Sequence, residues 1–526
     1  MKIRYFKPLV KPLAMAVALS LTAVTPAQAS SEREELETLR ATTQAILDAL
    51  VEKGVLSAEV AQSLVKQAEK KGQEQAEASA KADATSNVVR VPYIPEVVKR
   101  EIREQIRQEV VAQAKAEEWG NVNAVPEWVG RLKWEGDFRL RYQGDLFADG
   151  NAPGTSFVDE PYGLGSISDP INTEKDRQRL RIRARLGLSA KITDYVSAGL
   201  RVTTGNTSDP VSTNQTLGND FNKFSLVLDR AFAKVQPWDW LSVSGGRMPN
   251  PFFSTDLVWD DDLNFDGVAA TFKPWARSDR AGKPFITLGA FPLQEVESSV
   301  NNLARDQWLY AAQAGLDWKM DANTRWRFGL AYYDYQNIAA VEDTVIDGLY
   351  DYAGSVLSSR QKGNTRFEVA PVDQPGLFGL AADYSLVNLT ATLDLAHFEP
   401  VHVILDGDVV KNIGYDEAGV NSLVTPQEAK TLGWQTKVTV GWPSMQNRGD
   451  WQVFLGYRHL ERDAVLDAFA DSDFRLGGTN SKGFFIGGLY GVDRNSWLSA
   501  KWLSADQIDG EPFGVDVLQV DFNAKF

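Results

Sequence analysis

From residue 131 onward, apolar and polar residues alternate along the chain with a period of two, which is the side-chain period of a β-strand. The face opposite each apolar row carries charged residues, and several rows begin or end with Trp or Tyr, as at a membrane interface. The rows extend to about ten residues or more, whereas strands of soluble proteins average about 5–6. The clearest rows are residues 132–142, 180–190, 308–318, 326–332, 434–442 and 451–457. This pattern predicts strands that cross a bilayer.

The last row, residues 517–526, has an unbroken apolar face that ends at Phe526. A soluble sheet would bury such a face against a second layer, but a barrel in lipid turns it outward and leaves no unpaired edge. The predicted fold is therefore all-β and transmembrane, an antiparallel outer-membrane β-barrel over residues 131–526.

Short links alternate with longer ones, as periplasmic turns alternate with outer loops in such barrels, and they divide the chain into about 16 strands, with roughly 14–18 as the range. The count treats residues 336–387 as one long outer loop. The predicted strand starts are near residues 131, 177, 195, 226, 240, 266, 284, 306, 325, 388, 401, 433, 451, 482, 497 and 513.

The first 130 residues have a different character. Residues 1–29 combine four basic residues, an apolar run over 13–24 and an Ala27-Gln28-Ala29 cleavage site, which predicts a secretory signal peptide. Residues 30–130 predict an α-helical, coiled-coil-like periplasmic extension with a linker, because apolar residues repeat at alternating intervals of three and four between Leu36 and Leu50. Either this extension is an oligomerising stalk, or it is an isolated helical hairpin or mobile segment.

Composition narrows the class of protein. The chain has no Cys, so no disulfide or thiolate metal site can form. Its 55 basic and 70 acidic residues give a net charge of −15, which argues against nucleic acid as a partner and suits a solvated surface or an aqueous lumen. The 15 Trp, 15 Tyr and 41 Gly are typical of a β-rich barrel with aromatic girdles.

Several segments resemble the putative-porin family of proteobacterial outer-membrane proteins, in which a helical N-terminal segment precedes the barrel. The resemblance is carried by residues 88–120, 126–143, 228–252, 398–414 and 517–526. It implies a channel for passive diffusion of small polar solutes or ions in the cell outer membrane, with the helices in the periplasm, and it implies no particular solute. The terminal Phe526 also resembles the signature that the barrel-assembly machinery reads.

Arginines on the first three predicted strands share one face. Opposite them lies the apolar row that faces lipid, where a midplane arginine would cost about 2–4 kcal/mol, so these side chains must face the lumen. Either this basic wall confers ion selectivity, or it only hydrates the wall and pairs with neighbouring acids. The predicted wall consists of Arg139, Arg141, Arg177, Arg179, Arg181, Arg183, Arg185 and Arg201.

The third outer loop, residues 248–264, carries Asp256, Asp260, Asp261 and Asp262 among aromatic residues. In general diffusion porins the third loop folds into the barrel, and this loop resembles that arrangement. The resemblance predicts a constriction with acids across from the basic wall and a transverse field between them. The alternative is an exposed acidic loop tip. The loop also matches the first half of an EF-hand, but Lys273 stands where the twelfth-position Glu is expected, so a Ca²⁺ ion held by the loop carboxylates is only a minor alternative.

No catalytic motif, metal site or cofactor site emerges, and the expected function is not enzymatic. The three histidines lack metal spacing and no Gly-x-Ser-x-Gly elbow is present. The remaining alternative is a plugged or non-conducting barrel that acts as an anchor or adhesin. The expected partners are outer-membrane lipid, the barrel-assembly machinery and small hydrophilic solutes, with a homotrimer as the candidate assembly and no nucleic acid.

Overall fold

The computed structural model describes residues 127–526 apart from gaps at 158–164, 167–168, 298, 300–301, 344–351 and 371–375. The predicted signal peptide, and the predicted helical extension up to residue 126, lie outside the described part of the chain. A short 3-10 turn, Glu127–Arg131, leads into the first strand. Among the described residues, no helix is long and apolar enough to cross a membrane.

Sixteen long antiparallel strands within the described residues form one closed barrel. Each strand pairs with the next along the chain, and the last pairs with the first, so lipid meets no open sheet edge. The strands are β1 Leu132–Phe147, β2 Arg177–Lys191, β3 Val196–Thr204, β4 Leu226–Trp238, β5 Leu241–Pro249, β6 Asn264–Phe272, β7 Gly282–Gln294, β8 Gln307–Lys319, β9 Thr324–Gln336, β10 Ser385–Phe398, β11 Val401–Asn412, β12 Leu432–Gly441, β13 Trp451–Leu460, β14 Ser481–Asp493, β15 Ser496–Gln507 and β16 Gly514–Lys525. The predicted barrel of about 16 strands is confirmed.

The two faces of the barrel follow the sequence pattern. The apolar row of β2 is outward, with Leu180 51% exposed, and the arginines of that strand lie on the opposite face. Aromatic side chains stack at both ends of the strands, for example Trp238 on Trp240 and Trp434 on Tyr457. This is the outward apolar band with aromatic girdles that a lipid-embedded barrel requires.

The seam between β1 and β16 closes the barrel. Arg141 lies directly opposite Asp521 in the register, and its guanidinium donates to that carboxylate at 2.8 and 3.0 Å. The seam ends where Phe526 and Gly136 exchange backbone hydrogen bonds of 3.0 and 3.2 Å. The Phe526 ring lies over Gly136, where a Cβ atom would come within 2.4 Å of Cζ, so glycine at this position makes room for the ring.

Loops of unequal length join the strands. We call the end with the long loops the outer end, since outer-membrane barrels have longer loops outside and shorter turns on the periplasmic side. The outer loops L1 to L8 are residues 148–176, 205–225, 250–263, 295–306, 337–384, 413–431, 461–480 and 508–513. Inside L5, Arg366–Glu368 pairs with Phe378–Leu380 as a small separate sheet, so the apolar alternation there is not an extension of a barrel strand.

Glycine at the end of β12 is required by the backbone. Gly441 has a φ of +138°, and a Cβ there would lie 2.3 Å from the carbonyl oxygen of Trp451. We expect Gly441→Ala to destabilise the barrel by roughly 1–3 kcal/mol, because an L-residue is strained in this region and the clash is with backbone. The variant should lose its heat-modifiable gel mobility at a lower temperature than the wild type, and this difference measures the destabilisation. The matched control is Gly407→Ala on the adjacent strand, where a Cβ would meet no atom within 4 Å, and an equal effect of both variants would contradict the argument.

Candidate functional site

The arginine wall follows from the pairing of β1 with β2. The register places Arg139 opposite Arg183 and Arg141 opposite Arg181, on the lumen face. Like charges directly opposite each other destabilise a sheet, so this wall needs acids from elsewhere. All eight arginines of the predicted wall lie on the lumen side of β1, β2 and β3, and Arg201 pairs with Asp229 of β4.

Acids from the barrel strands provide part of the compensation. Asp137 of β1 accepts from Arg183 at 3.1 Å and from Arg185 at 2.7 Å. Asp145 of the same strand accepts from Arg179 at 2.6 Å. These pairs are enclosed within the barrel, where an ion pair is less screened than at an open surface.

Loop L3 provides another part by folding into the lumen. The Asp262 carboxylate lies 3.4 Å from the guanidinium of Arg183 and 3.1 Å from that of Arg185, and it accepts from the Thr213 hydroxyl at 3.0 Å. Asp256, six residues earlier, lies 3.0 Å from the guanidinium of Arg458 on β13. The loop therefore connects the arginine wall at β2 with β13 through the lumen.

The four L3 aspartates consequently occupy four environments. Asp256 contacts Arg458 of β13 and Asp262 contacts Arg183 and Arg185 of β2. Asp260 accepts from the backbone N–H of Ser472 at 2.8 Å, and Asp261 is exposed to the lumen. The sequence predicted one acidic row facing the basic wall across a gap. Instead, Asp262 makes direct contact with that wall.

The pKa values of these carboxylates separate accordingly. Although burial opposes ionisation, the guanidinium of Arg458 holds the pKa of Asp256 below its usual range, and Arg183 and Arg185 lower the pKa of Asp262. Burial, together with the Asp471 and Asp262 carboxylates, raises the pKa of Asp260 well above its usual range. Restricted solvation in the lumen, and then the carboxylates of Asp256, Asp471 and Asp262, raises the pKa of Asp261 to about 6.

Loops L5 and L7 also enter the lumen, which the sequence pattern did not predict. Asp467 of L7 accepts from Arg366 of L5 at 2.9 Å, and Asp463 accepts from the Tyr384 hydroxyl at 2.9 Å. All four side chains are almost fully buried. Separating the loops would leave a buried charge without its partner, which is strongly destabilising. These contacts therefore fix the two loops to each other.

L7 reaches the arginine wall as well. Its Asp473 lies 3.2 Å from the guanidinium of Arg141, and its Asp471 accepts from Arg458 at 2.7 Å. Asp473 is therefore a second loop acid on the basic wall, beside Asp262 of L3. The acidic run of L7, with Asp463, Asp467, Asp471 and Asp473 within eleven residues, was a signal in the sequence that could have indicated this role.

An aromatic cluster fills the side of the lumen away from the arginines. Phe252 and Trp259 of L3 pack edge-on against Tyr333 of β9 with ring centroids 5.3 and 5.2 Å apart, and Phe265 and Phe291 join them. Each of these rings is buried. The cluster anchors L3 to one wall of the barrel.

Three cavities open along the barrel. Two lie at the outer end, with volumes of about 430 and 550 Å³, and the L2 segment 208–212 lies between them. A third, of about 590 Å³, lies at the periplasmic end between the turns that precede β7 and β9. The larger outer cavity is lined by Arg177, Arg179 and Arg181 of the predicted wall.

The calcium alternative has no matching geometry. Asp262 is bound to Arg183 and Arg185, Asn264 accepts from Arg230, and Asp266 lies 2.7 Å from Arg247. In the described residues no group of three His, Asp or Glu side chains is placed to hold a metal ion.

Comparison with known proteins identifies the family. The structure is similar to OmpF of Salmonella typhi (TM-score 0.40, 11% identity, 75% of this chain and 97% of that chain) and to OprB of Pseudomonas putida (TM-score 0.44, 13% identity, 78% and 97%). It is also similar to the outer-membrane channel DcaP of Acinetobacter baumannii (TM-score 0.39, 12% identity, 76% and 98%). No curated protein matches the sequence. The family model described as putative porin matches residues 40–526, nearly the whole length of the chain. The protein is therefore an outer-membrane barrel that belongs to the putative porin family.

Proposed function

We propose that this protein is a porin through which small polar solutes and ions diffuse along the arginine side of the lumen. The single observation that carries the proposal is the asymmetric filling of the barrel, with aromatic side chains on one wall and a wall of half-buried arginines on the other. A polar, charged wall holds water, whereas the aromatic wall excludes it. The outer cavity lined by Arg177, Arg179 and Arg181 is consistent with such a path.

The acids on this path set its field. Arg183 and Arg185 on one side and Asp262 with Asp261 on the other place opposite charges within a narrow section of the lumen. In such a section the local charge balance determines which ions pass. We propose that the balance favours anions, because the arginines of β1 and β2 outnumber the described carboxylates that contact them.

A plugged barrel is the second candidate, and the mutual burial of L5 and L7 favours it. Planar-bilayer recording of the purified, folded protein separates the two functions. A porin gives stepwise conductance increases, and shortening L7 by residues 464–478 should increase the step size because Asp473 and Phe474 no longer occupy the lumen. A wild-type protein that folds but gives no steps, together with a shortened variant that does, would establish the plugged barrel.

Ion selectivity should depend on pH through Asp261. Its pKa of about 6 means that this carboxylate is charged at pH 8 and neutral at pH 5, while carboxylates with ordinary pKa values stay charged. Lowering the pH through 6 removes a negative charge from the lumen, so reversal potentials in a salt gradient should shift toward anions. Asp261→Asn should abolish most of this shift. If the variant retains the full shift, Asp261 is not the group that titrates and the prediction is wrong.

A further inference from the structure

The larger outer cavity has an excess of positive charge in its lining. It is formed by β1, β2 and loops L1, L2, L5, L7 and L8, and its volume of about 550 Å³ falls in the range of small-molecule sites. Five cationic side chains line it against only two carboxylates, Asp145 and Asp209. The five are Arg177, Arg179 and Arg181 of β2 with Arg360 and Lys362 of L5.

Most of these cations have no carboxylate partner among the described residues. Arg179 is paired with Asp145 at 2.6 Å, but Arg181 donates only to the neutral Gln143 amide, at 3.0 Å, and its Nε is buried without a hydrogen-bond partner. Lys362 donates to the backbone carbonyl of Leu476 at 2.6 Å. Burial and the nearby Arg475 lower the pKa of Lys362 well below its usual range, and a bound anion would raise that pKa.

The cations come from two separate elements. The arginines project from the lumen face of a rigid strand, and Arg360 and Lys362 belong to a loop segment fixed by L7. A solute with one oxyanion group offers these two elements a single set of acceptor oxygens to share. A solute with two or more separated groups could bridge both, and arginine is suited to bidentate contacts with carboxylate or phosphate. Because the arginines face the lumen, such a solute enters from water and not from lipid.

We propose that this cavity is a binding site for small organic polyanions, at which such solutes are captured before they enter the arginine-lined path. This inference deepens the proposed porin function by naming a solute class. Binding at the site requires only the folded barrel, however, so it can be measured whether or not the protein conducts.

Isothermal titration of the detergent-solubilised, folded protein with citrate at low salt tests the site directly. Wild-type protein should bind citrate, and inorganic phosphate should bind at least about tenfold more weakly because it cannot bridge the strand and the loop. Glucose, a neutral solute of similar size, should not bind. Failure to bind citrate, or equal affinities for citrate and phosphate, would overturn the proposal.

Variants locate the site. Arg360→Gln, at an exposed loop position, should weaken citrate binding about tenfold without affecting folding, and Arg181→Gln combined with it should weaken binding further. The matched control is Arg280→Gln, which removes an arginine from the cavity at the periplasmic end and should leave the affinity within about twofold. Citrate binding that is equally weakened by the control, or unchanged in the double variant, would place the anion elsewhere. If wild-type protein conducts but does not bind citrate, the porin function stands and this inference fails.

Discussion

Replacing Arg183 and Arg185 with Gln should shift ion selectivity of the channel strongly toward cations. These two side chains are the wall cations in contact with the L3 carboxylate of Asp262, so their removal leaves Asp262 and Asp137 without their main partners. A unit charge at about 4 Å acts with roughly 1 kcal/mol even in water, so the permeability ratio should change by about fivefold or more. Reversal potentials in a salt gradient give this ratio directly.

Replacing the Asp262 carboxylate should change ion selectivity in the opposite direction. Asp262→Asn removes the negative partner and should move the reversal potential toward anions. Arg277→Gln is the control, because this exposed arginine lies in a periplasmic turn and is paired there with Asp239. Both shifts should diminish above about 1 M salt, where the screening length is about 3 Å. An unchanged ratio in the double arginine variant, with heat-modifiable folding intact, would refute the constriction.

Replacing Phe526 with Ala should greatly reduce the amount of folded protein in the outer membrane. From the resemblance of the final strand to the recognition signature of outer-membrane barrels, we propose that the assembly machinery reads this aromatic ring. The ring also covers Gly136 at the seam. Aromatic rings at the interface anchor a barrel in the bilayer, so part of the loss should be anchoring alone. The folded fraction in isolated outer membranes, measured by heat-modifiable mobility, gives the effect.

A second exposed aromatic separates anchoring from recognition. Phe398 is 70% exposed at the periplasmic end of β10, close to the 74% of Phe526, but it is followed by a turn to β11. Phe398→Ala should therefore lower the folded yield only by the amount that interfacial anchoring contributes. Equal yields of the two variants would show that Phe526 has no special role in assembly.

The barrel was predictable because one physical rule repeats in every strand. Each side chain of a strand must face either lipid or lumen, and this requirement produces a period of two in the sequence. None of the sixteen predicted strand starts lies more than three residues from the observed one. The lumen side of the predicted arginines follows from the same rule, since the parity of Leu180 determines that of its neighbours.

The interior of the lumen was not predictable in the same way. L3 was expected to carry a single acidic row, but which wall each aspartate contacts depends on the path of a loop that has no repeating pattern. The entry of L5 and L7 depends on pairs such as Arg366 with Asp467, which are about a hundred residues apart. The role of Arg458 could not be predicted, because a single arginine on β13 forms no pattern in the sequence. The homotrimer, the signal peptide and the periplasmic helices stay predictions.

The ion pair between Arg141 and Asp521 has a geometric consequence. A slip of β16 by two residues would keep every apolar side chain toward lipid, so hydrophobicity alone cannot prevent it. Such a slip would place Gln519 or Asn523 opposite Arg141 in place of the carboxylate. It would also change the shear of the closed sheet, which together with the number of strands determines strand tilt and barrel diameter. One charged pair at the junction of the first and last strands thus helps to determine how wide the whole cylinder is.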